Sequence, residues 1–340
     1  MTDAPAAICP ECGTLGGTQD TYCEACGCAL SSAEPLTAEP TAETERASCV
    51  ACGEDVSPID DGYCRSCGMS QPRPGDSLED VQGNGGVAAV THRGRRRRRN
   101  EDAFSIASMP DGRFFGVISD GVSTTVDADL ASHQAAVTAV EALGAEHHGD
   151  PGKALREAYV AARAAVSRLA ESSAGADSAP SCTFLAFTAA RYDIHLASMG
   201  DCRAFWLPEH GEATTLTEDD SWATEQILAG TMTAEQAHTD NRSHGITRWL
   251  GQDADPDWEP RQVGFTAPGP GRLILCSDGL WNYAPSAAAI AGVAGDGSPS
   301  AVARRLVDYA NRSGGRDNIT VVVVAIPCNS EIADPKGLAR

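Results

Sequence analysis

Four segments carry acidic side chains in settings suited to metal chemistry: Asn100-Glu101-Asp102-Ala103, Asp120-Gly121, Asp278-Gly279 and Asp317-Asn318. The second and third follow apolar runs at 114–119 and 272–277, and the fourth opens another at 319–324. Such runs read as buried strands, so their ends aim carboxylates into one cleft. Crowded aspartates repel one another unless cations neutralise them. An all-oxygen donor set suits a hard ion, Mg²⁺ or Mn²⁺, rather than zinc. One Asp-Gly alone reads as an ordinary turn at a strand end; several at the ends of apolar runs read as a metal site.

A second metal-binding pattern lies near the N-terminus. Eight of the thirteen cysteines form four Cys-x-x-Cys-Gly knuckles: Cys9/Cys12, Cys23/Cys26, Cys49/Cys52 and Cys64/Cys67. Two knuckles together supply four thiolates to one tetrahedral Zn²⁺, so the spacing predicts two structural zinc sites. A disulfide framework or a redox pair is the competing reading, and it requires an oxidising compartment that no signal sequence here advertises. Cys28, Cys182, Cys202, Cys276 and Cys328 remain, and those in apolar runs are expected to be small core residues.

These groups have to be positioned by folded elements, and the composition allows it. A chain of 340 residues with 42% hydrophobic content buries a substantial core. No run is long and apolar enough to span a bilayer, and Met1-Thr2-Asp3-Ala4-Pro5 does not open a secretory leader, so a cytoplasmic protein is expected. A net charge of −21 argues against general affinity for nucleic acid or anionic membrane. Composition shifts divide the chain into a zinc ribbon at 1–30, an acidic linker at 31–47, a second ribbon at 48–70, a linker at 71–86, a compact domain at 87–327 and a tail at 328–340. Within that domain, apolar β-type runs at 114–119, 183–190, 194–198, 204–207, 273–277 and 319–326 alternate with Ala-rich helical patterns at 129–143 and 153–170. A third helix is expected over 299–311, capped by Ser298 and stopped by Gly314-Gly315. Such a pattern suggests two packed sheets with helices outside.

Taken in order, the chemistry-bearing pieces resemble the PP2C-type metal-dependent serine/threonine protein phosphatases. They are Arg97-x-x-Asn100-Glu101-Asp102-Ala103, Ser119-Asp120-Gly121, Ser181-Cys182-Thr183, Met199-Gly200-Asp201-Cys202-Arg203-Ala204, Leu216-Thr217-x-Asp219, Ile246-Thr247-Arg248-x-Leu250-Gly251, Cys276-Ser277-Asp278-Gly279-Leu280-Trp281 and Asp317-Asn318-Ile319-Thr320. The resemblance implies an α+β fold, a four-layer αββα sandwich of two antiparallel sheets flanked by helices, here preceded by two small zinc-ribbon modules. It implies that Asp120 bridges two Mn²⁺ or Mg²⁺ ions, that Gly121 offers a carbonyl, that Glu101 serves the second ion, and that Asp278 and Asp317 hold the first. Similar bacterial enzymes take a third ion, for which Asp201 and Asp278 match. Arg97 occupies the register of the arginine that grips the phosphate, a task that suits a planar guanidinium. Its neighbours Arg95, Arg96, Arg98 and Arg99 are expected to gather anionic peptides at the cleft mouth. Arg97, Glu101, Asp120, Asp278 and Asp317 are therefore the expected catalytic set. The substrates implied are phosphorylated proteins, targets of a Ser/Thr kinase, in a signalling role.

This sequence also departs from the family. After Asp120-Gly121 the usual paired glycines are replaced by Ser123-Thr124, and Val122 stands where animal relatives carry a histidine. Asp220 replaces a frequent histidine and Asn282 a common aspartate. Residues 222–244 fall where the family has a flap beside the site. The expected function is metal-dependent hydrolysis of phosphoserine and phosphothreonine, with the zinc ribbons as partner-binding modules. The alternative, motivated by the Cβ atoms that Ser123 and Thr124 add where tight backbone is expected, is a weak or inactive phosphatase-fold scaffold that binds protein partners. Nucleic-acid binding through the ribbons is disfavoured, because residues 1–70 hold only Arg46 and Arg65 as basic side chains.

Overall fold

The computed structural model describes residues 47–49, 52–56, 64–67, 75–145, 149–172 and 178–327. The chain divides into two units, Met1–Gln71 and Pro72–Arg340. In the first, β1 (Ala47–Ser48) and β2 (Asp55–Val56) pair as a short antiparallel hairpin. The first cysteine set, residues 31–46 of the acidic joint and the tail at 328–340 lie outside the described residues.

The second unit opens with β3 (Ser77–Gln82), β4 (Val87–His92), β5 (Asp102–Ser108) and β6 (Phe114–Asp120). Two long helices follow, α1 (Ala128–Ala145) and α2 (Pro151–Ser172). Next come β7 (Ser181–Cys182), β8 (Phe184–Ala190), β9 (Asp193–Met199), β10 (Arg203–Pro208) and β11 (Thr214–Thr215). The flap region folds into α3 (Trp222–Leu228) and α4 (Ala234–Thr239), followed by β12 (Leu250–Gly251), β13 (Arg261–Thr266) and β14 (Gly271–Cys276). The chain closes with α5 (Asp278–Trp281), α6 (Ala287–Ala294), α7 (Pro299–Arg312) and β15 (Ile319–Ile326).

These strands form a six-stranded sheet in the order β11-β10-β14-β15-β4-β3 and a five-stranded sheet in the order β13-β9-β8-β6-β5. Every pairing in them is antiparallel. The central strands, β8 and β15 among them, are apolar at successive positions because both faces are covered. On β15, Val322 and Val324 enter the core between the sheets, whereas Val321 and Val323 face the layer of α5, α6 and α7. On β8, Leu185 and Phe187 point into the inter-sheet core while Phe184 and Ala186 pack under α1 and α2. Four layers result, helix–sheet–sheet–helix.

The helices follow their expected logic. Helix α1 buries Ala131, Ala135, Ala136, Ala139 and Leu143 along one face, and its small side chains allow close approach to β5 and β6. Helix α7 starts at Ser298, whose Oγ accepts from the Ala301 N–H at 3.3 Å, with Pro299 in the first turn.

The boundary expected at 87 is corrected. Residues 77–82, read as linker, form β3 and pair along β4 from Ser77↔His92 to Gln82↔Val87. Their only large apolar residues face outward, Leu78 at 53% and Val81 at 44% exposure. An edge strand of this kind lacks the apolar run by which a buried strand is recognised.

Candidate active site

Strand register gathers the acidic segments. In the six-stranded sheet Arg203 pairs with Cys276, Cys276 with Val321 and Ile319 with His92, so Asp201, Asp278 and Asp317 all leave from one edge. In the five-stranded sheet Asp102 pairs with Asp120, and Phe184 with Met199. Residues 200–202 connect Met199 of β9 to Arg203 of β10, one sheet to the other. The two edges therefore face each other at one end of the sandwich. Glu101 stands immediately before β5, and its carbonyl accepts from the Gly121 N–H at 3.0 Å.

The carboxylates of this end sense one another. Asp120 is pushed well above the usual carboxylate range, first by burial and then by Asp102, Asp278, Asp201 and Asp317. Asp278 is raised likewise, by burial and then by Asp201, Asp317 and Asp102, with Arg97 opposing. Burial, followed by Asp219, moves Asp201 up to about 7. Five aspartates from separate strand ends thus share one electrostatic neighbourhood. Two buried oxygens in it, Asp102 Oδ1 and Asp278 Oδ1, have no hydrogen-bond partner among the described residues. Buried carboxylate oxygens with no donor, in a donor set of oxygen alone, fit a hard divalent cation. The spacing is looser than that of a closed structural site. Among the described residues, only four cysteine sulfurs gather within 4.8 Å of one another.

Backbone packing fixes the cluster. The Asn318 side chain is the hub: its Oδ1 accepts from the Glu101 N–H at 2.8 Å, while its Nδ2 donates to the carbonyls of Arg93 at 2.7 Å and Arg99 at 2.8 Å. On either side the chain approaches too closely for a side chain. A Cβ on Gly279 would overlap the Asn318 carbonyl oxygen, and one on Gly94 would overlap that of Asp317. Gly94 also has φ +79°, a left-handed conformation open to glycine. Arg97 donates to Asp317 Oδ2 at 2.6 Å with its side chain 36% exposed, which leaves part of its fork free.

Sequence reasoning passed over Asp102 as an individual. It is buried, and its Oδ2 accepts from Ser277 Oγ and Thr320 Oγ1, each at 2.7 Å. Thr320 Oγ1 in turn lies 2.7 Å from Thr91 Oγ1, which accepts from Asn100 Nδ2 at 2.9 Å. Burial moves Asp102 up to about 6 despite these donors. The available signal was a run of three polar residues, Asn100-Glu101-Asp102, entering a strand whose next residue is buried.

The departures have local explanations. Ser123 Oγ donates to Glu101 Oε2 at 2.8 Å, so the serine steadies that carboxylate. Asn282 Nδ2 donates to Asp278 Oδ2 at 3.2 Å. Buried Asp220 accepts from the Gly200 N–H at 3.1 Å and Arg261 Nε at 2.8 Å, which pins the turn that carries Asp201. Beside the flap, a cavity of about 410 Å³ is lined by Asp201, Arg203, Asp219, His244, Trp281 and Asn282. There Arg203 lies 3.8 Å over the Trp281 ring, and His244 stacks on the same ring at 5.8 Å.

In the first unit, Cys49, Cys52, Cys64 and Cys67 converge, with Cys49 Sγ 3.6 Å from Cys67 Sγ and Cys52 Sγ 3.7 Å from Cys64 Sγ. Cys9, Cys12, Cys23 and Cys26 lie outside the described residues.

A fold of two antiparallel sheets between helices, with carboxylates converging at one end, is that of a metal-dependent phosphatase. The family model for protein phosphatase 2C matches residues 91–307, and the chain belongs to that family. It is an enzyme of the serine/threonine protein phosphatase class. Among curated proteins it is similar to the serine/threonine phosphatase stp of Listeria monocytogenes, 29% identical over 241 residues, covering 69% of this chain and 93% of the relative. It is also similar to the serine/threonine protein phosphatase PstP of Mycobacterium tuberculosis, 30% identical over 247 residues, covering 70% of this chain and 44% of PstP. Among solved structures, that of M. tuberculosis PstP/Ppp superposes with TM-score 0.61 at 28% identity, covering 71% of this chain and 97% of that one. The PstP catalytic domain solved in complex with two manganese ions gives TM-score 0.58 at 27% identity, with the same coverage. No helix among the described residues is long and apolar enough to cross a membrane.

Proposed function

We propose that this enzyme hydrolyses phosphoserine and phosphothreonine in proteins with the help of two Mn²⁺ or Mg²⁺ ions, and that a third ion can join them. Asp120, the Gly121 carbonyl, Glu101, Asp278 and Asp317 would hold the pair, and Asp201 with Asp278 the third. When bound, the ions neutralise the carboxylates, activate the attacking water and offset charge at phosphorus. The remaining work falls to the chain. Arg97 presents its free N–H groups to the phosphate while Asp317 fixes its orientation, an arrangement in which two phosphate oxygens can be held at once. Ser123 and Asn318 keep Glu101 and its backbone in place, and Asp102, paired with Asp120 across β5 and β6, is tied to Ser277 and Thr320.

The observation that carries this reading is the convergence of five mutually repelling aspartates, Asp120 at the end of β6 and Asp278 at the start of α5 among them, around buried oxygens that lack donors. The scaffold alternative rested on Ser123-Thr124 distorting the site. The contact from Ser123 to Glu101 argues the other way. With Mn²⁺ the purified protein is expected to release phosphate from a phosphothreonine peptide and to lose this activity on chelation. Calorimetry showing no Mn²⁺ binding, together with an inert peptide, would establish the scaffold instead.

The cysteine sets, at 1–30 and 48–70, are proposed to bind one structural Zn²⁺ each and to serve as partner-docking modules. The four converging sulfurs of the second set support this, since tetrahedral thiolate coordination stabilises a fold too small to stand without it. Metal analysis of dialysed protein is expected to give two zinc ions per chain, falling to one in Cys49→Ser/Cys52→Ser. Zinc-free protein with an unchanged circular dichroism spectrum would overturn it. A cytoplasmic enzyme that opposes a Ser/Thr kinase completes the proposal.

A further inference from the structure

We propose that the arginine loop beside the site selects phosphoproteins whose phosphorylated residue is flanked by acidic side chains. The selecting groups are Arg95, Arg96, Arg98 and Arg316, drawn from two segments, and the inference rests on the phosphatase reading above.

The run from Arg93 to Arg99 is divided by function. Three of its guanidiniums are engaged inside the domain: Arg93 lies 3.6 Å from Asp76, Arg97 2.6 Å from Asp317 and Arg99 3.5 Å from Asp129. Those of Arg95, Arg96 and Arg98 are exposed and have no carboxylate partner among the described residues. Exposed Arg316 joins them, because the N–H groups of Arg95 and Arg96 both donate to the carbonyl of the preceding Gly315, at 2.7 and 3.1 Å. Arg316 is held in turn by its own N–H, which donates to Tyr283 Oη at 3.1 Å.

The backbone beneath this patch is already fixed. Asn318 clamps the carbonyls of Arg93 and Arg99, the two ends of the loop. Binding then costs side-chain freedom but no ordering of this backbone, so each exposed ion pair contributes modestly and selectivity comes from several acting together. Arg95 and Arg96 stand two and one residues from Arg97 along the chain, a backbone span of at most about 7 Å. A phosphate held by Arg97 therefore puts acids two or three positions away within reach of the patch.

Such a surface is out of keeping with a chain of net charge −21. Local fields fall off within a Debye length of roughly 8 Å at physiological salt. A short acidic segment continuous with the phosphoresidue meets the arginines alone, whereas a long polyanion also meets the acidic remainder. This favours an acidic peptide over nucleic acid.

The test uses the full chain with Mn²⁺ and two phosphothreonine peptides, identical except that flanking Glu and Asp in one become Gln and Asn in the other. The acidic peptide is expected to be favoured about tenfold in kcat/KM, the sum of several exposed ion pairs. The preference should lie mostly in KM, shrink at high salt and vanish or invert in R95E/R96E/R316E. Equal turnover of both peptides by the parent enzyme overturns the selectivity and leaves the phosphatase reading standing. Release of phosphate from neither peptide overturns both. A single-stranded oligonucleotide that competes more strongly than the acidic peptide, and loses this in the triple variant, reassigns the patch to nucleic acid.

Discussion

Asp278→Asn lowers the rate of phosphopeptide hydrolysis by roughly a thousandfold, because each cation supplies several kcal/mol of charge stabilisation and tenfold in rate corresponds to about 1.4 kcal/mol. Asp278 combines two features that a bound cation would relieve. It carries an unpartnered buried oxygen, and Asp201, Asp317 and Asp102 all act on it. The amide is isosteric but uncharged, so the loss measures charge and coordination rather than packing. The same substitution removes a like charge from a crowded site. In chelator the variant therefore unfolds at a temperature no lower than the parent, while added Mn²⁺ raises the parent's melting temperature and scarcely moves the variant's. Initial rates and thermal melts across a Mn²⁺ titration give both readings. A variant that keeps a tenth of the parental rate at saturating Mn²⁺ removes Asp278 from the ligand set.

Gly279→Ala is the second large effect, and it touches no proposed ligand. The added methyl meets the Asn318 carbonyl oxygen, a backbone atom that cannot rotate away. Overpacking of this kind costs roughly 1–3 kcal/mol and sometimes more. Relief requires α5 and the Asp317–Asn318 turn to part, which moves Asp278 away from Asp317. A displacement near 1 Å costs on the order of a hundredfold in rate. Denaturant melts and kcat measured on the folded fraction separate the two losses. Parental stability with parental activity would show that the two segments move apart freely.

Much of the fold could be read from the chain because its strands are buried on both faces. The valine run of β15 and the Phe-Leu-Ala-Phe start of β8 are apolar at successive positions for that reason. Edge strands were harder. In β3 the outward Leu78 and Val81 give no core signal, and β13 alternates between half-buried and exposed residues, with only Val263 and Phe265 packed against the core. Members of the acidic cluster were legible where an acid bounded an apolar run, closing it at Asp120 and Asp278 and preceding it at Asp317. Asp102 and Asn318 were obscured because their importance lies in what they hold: Ser277 and Thr320 for one, three backbone groups for the other. Ser123 appeared to be a steric intrusion on sequence grounds, because its partner Glu101 lies 22 residues away.

One amide, Asn318, joins the loop that would meet the phosphate to the segment that would meet the cations. The two binding events then share a free-energy coupling, and thermodynamics makes that coupling reciprocal: whatever factor substrate adds to ion affinity, the ions return to substrate affinity. In a cell where free Mn²⁺ fluctuates, substrate abundance would then shift this enzyme's apparent affinity for the metal, and metal supply its affinity for substrate, by one common factor.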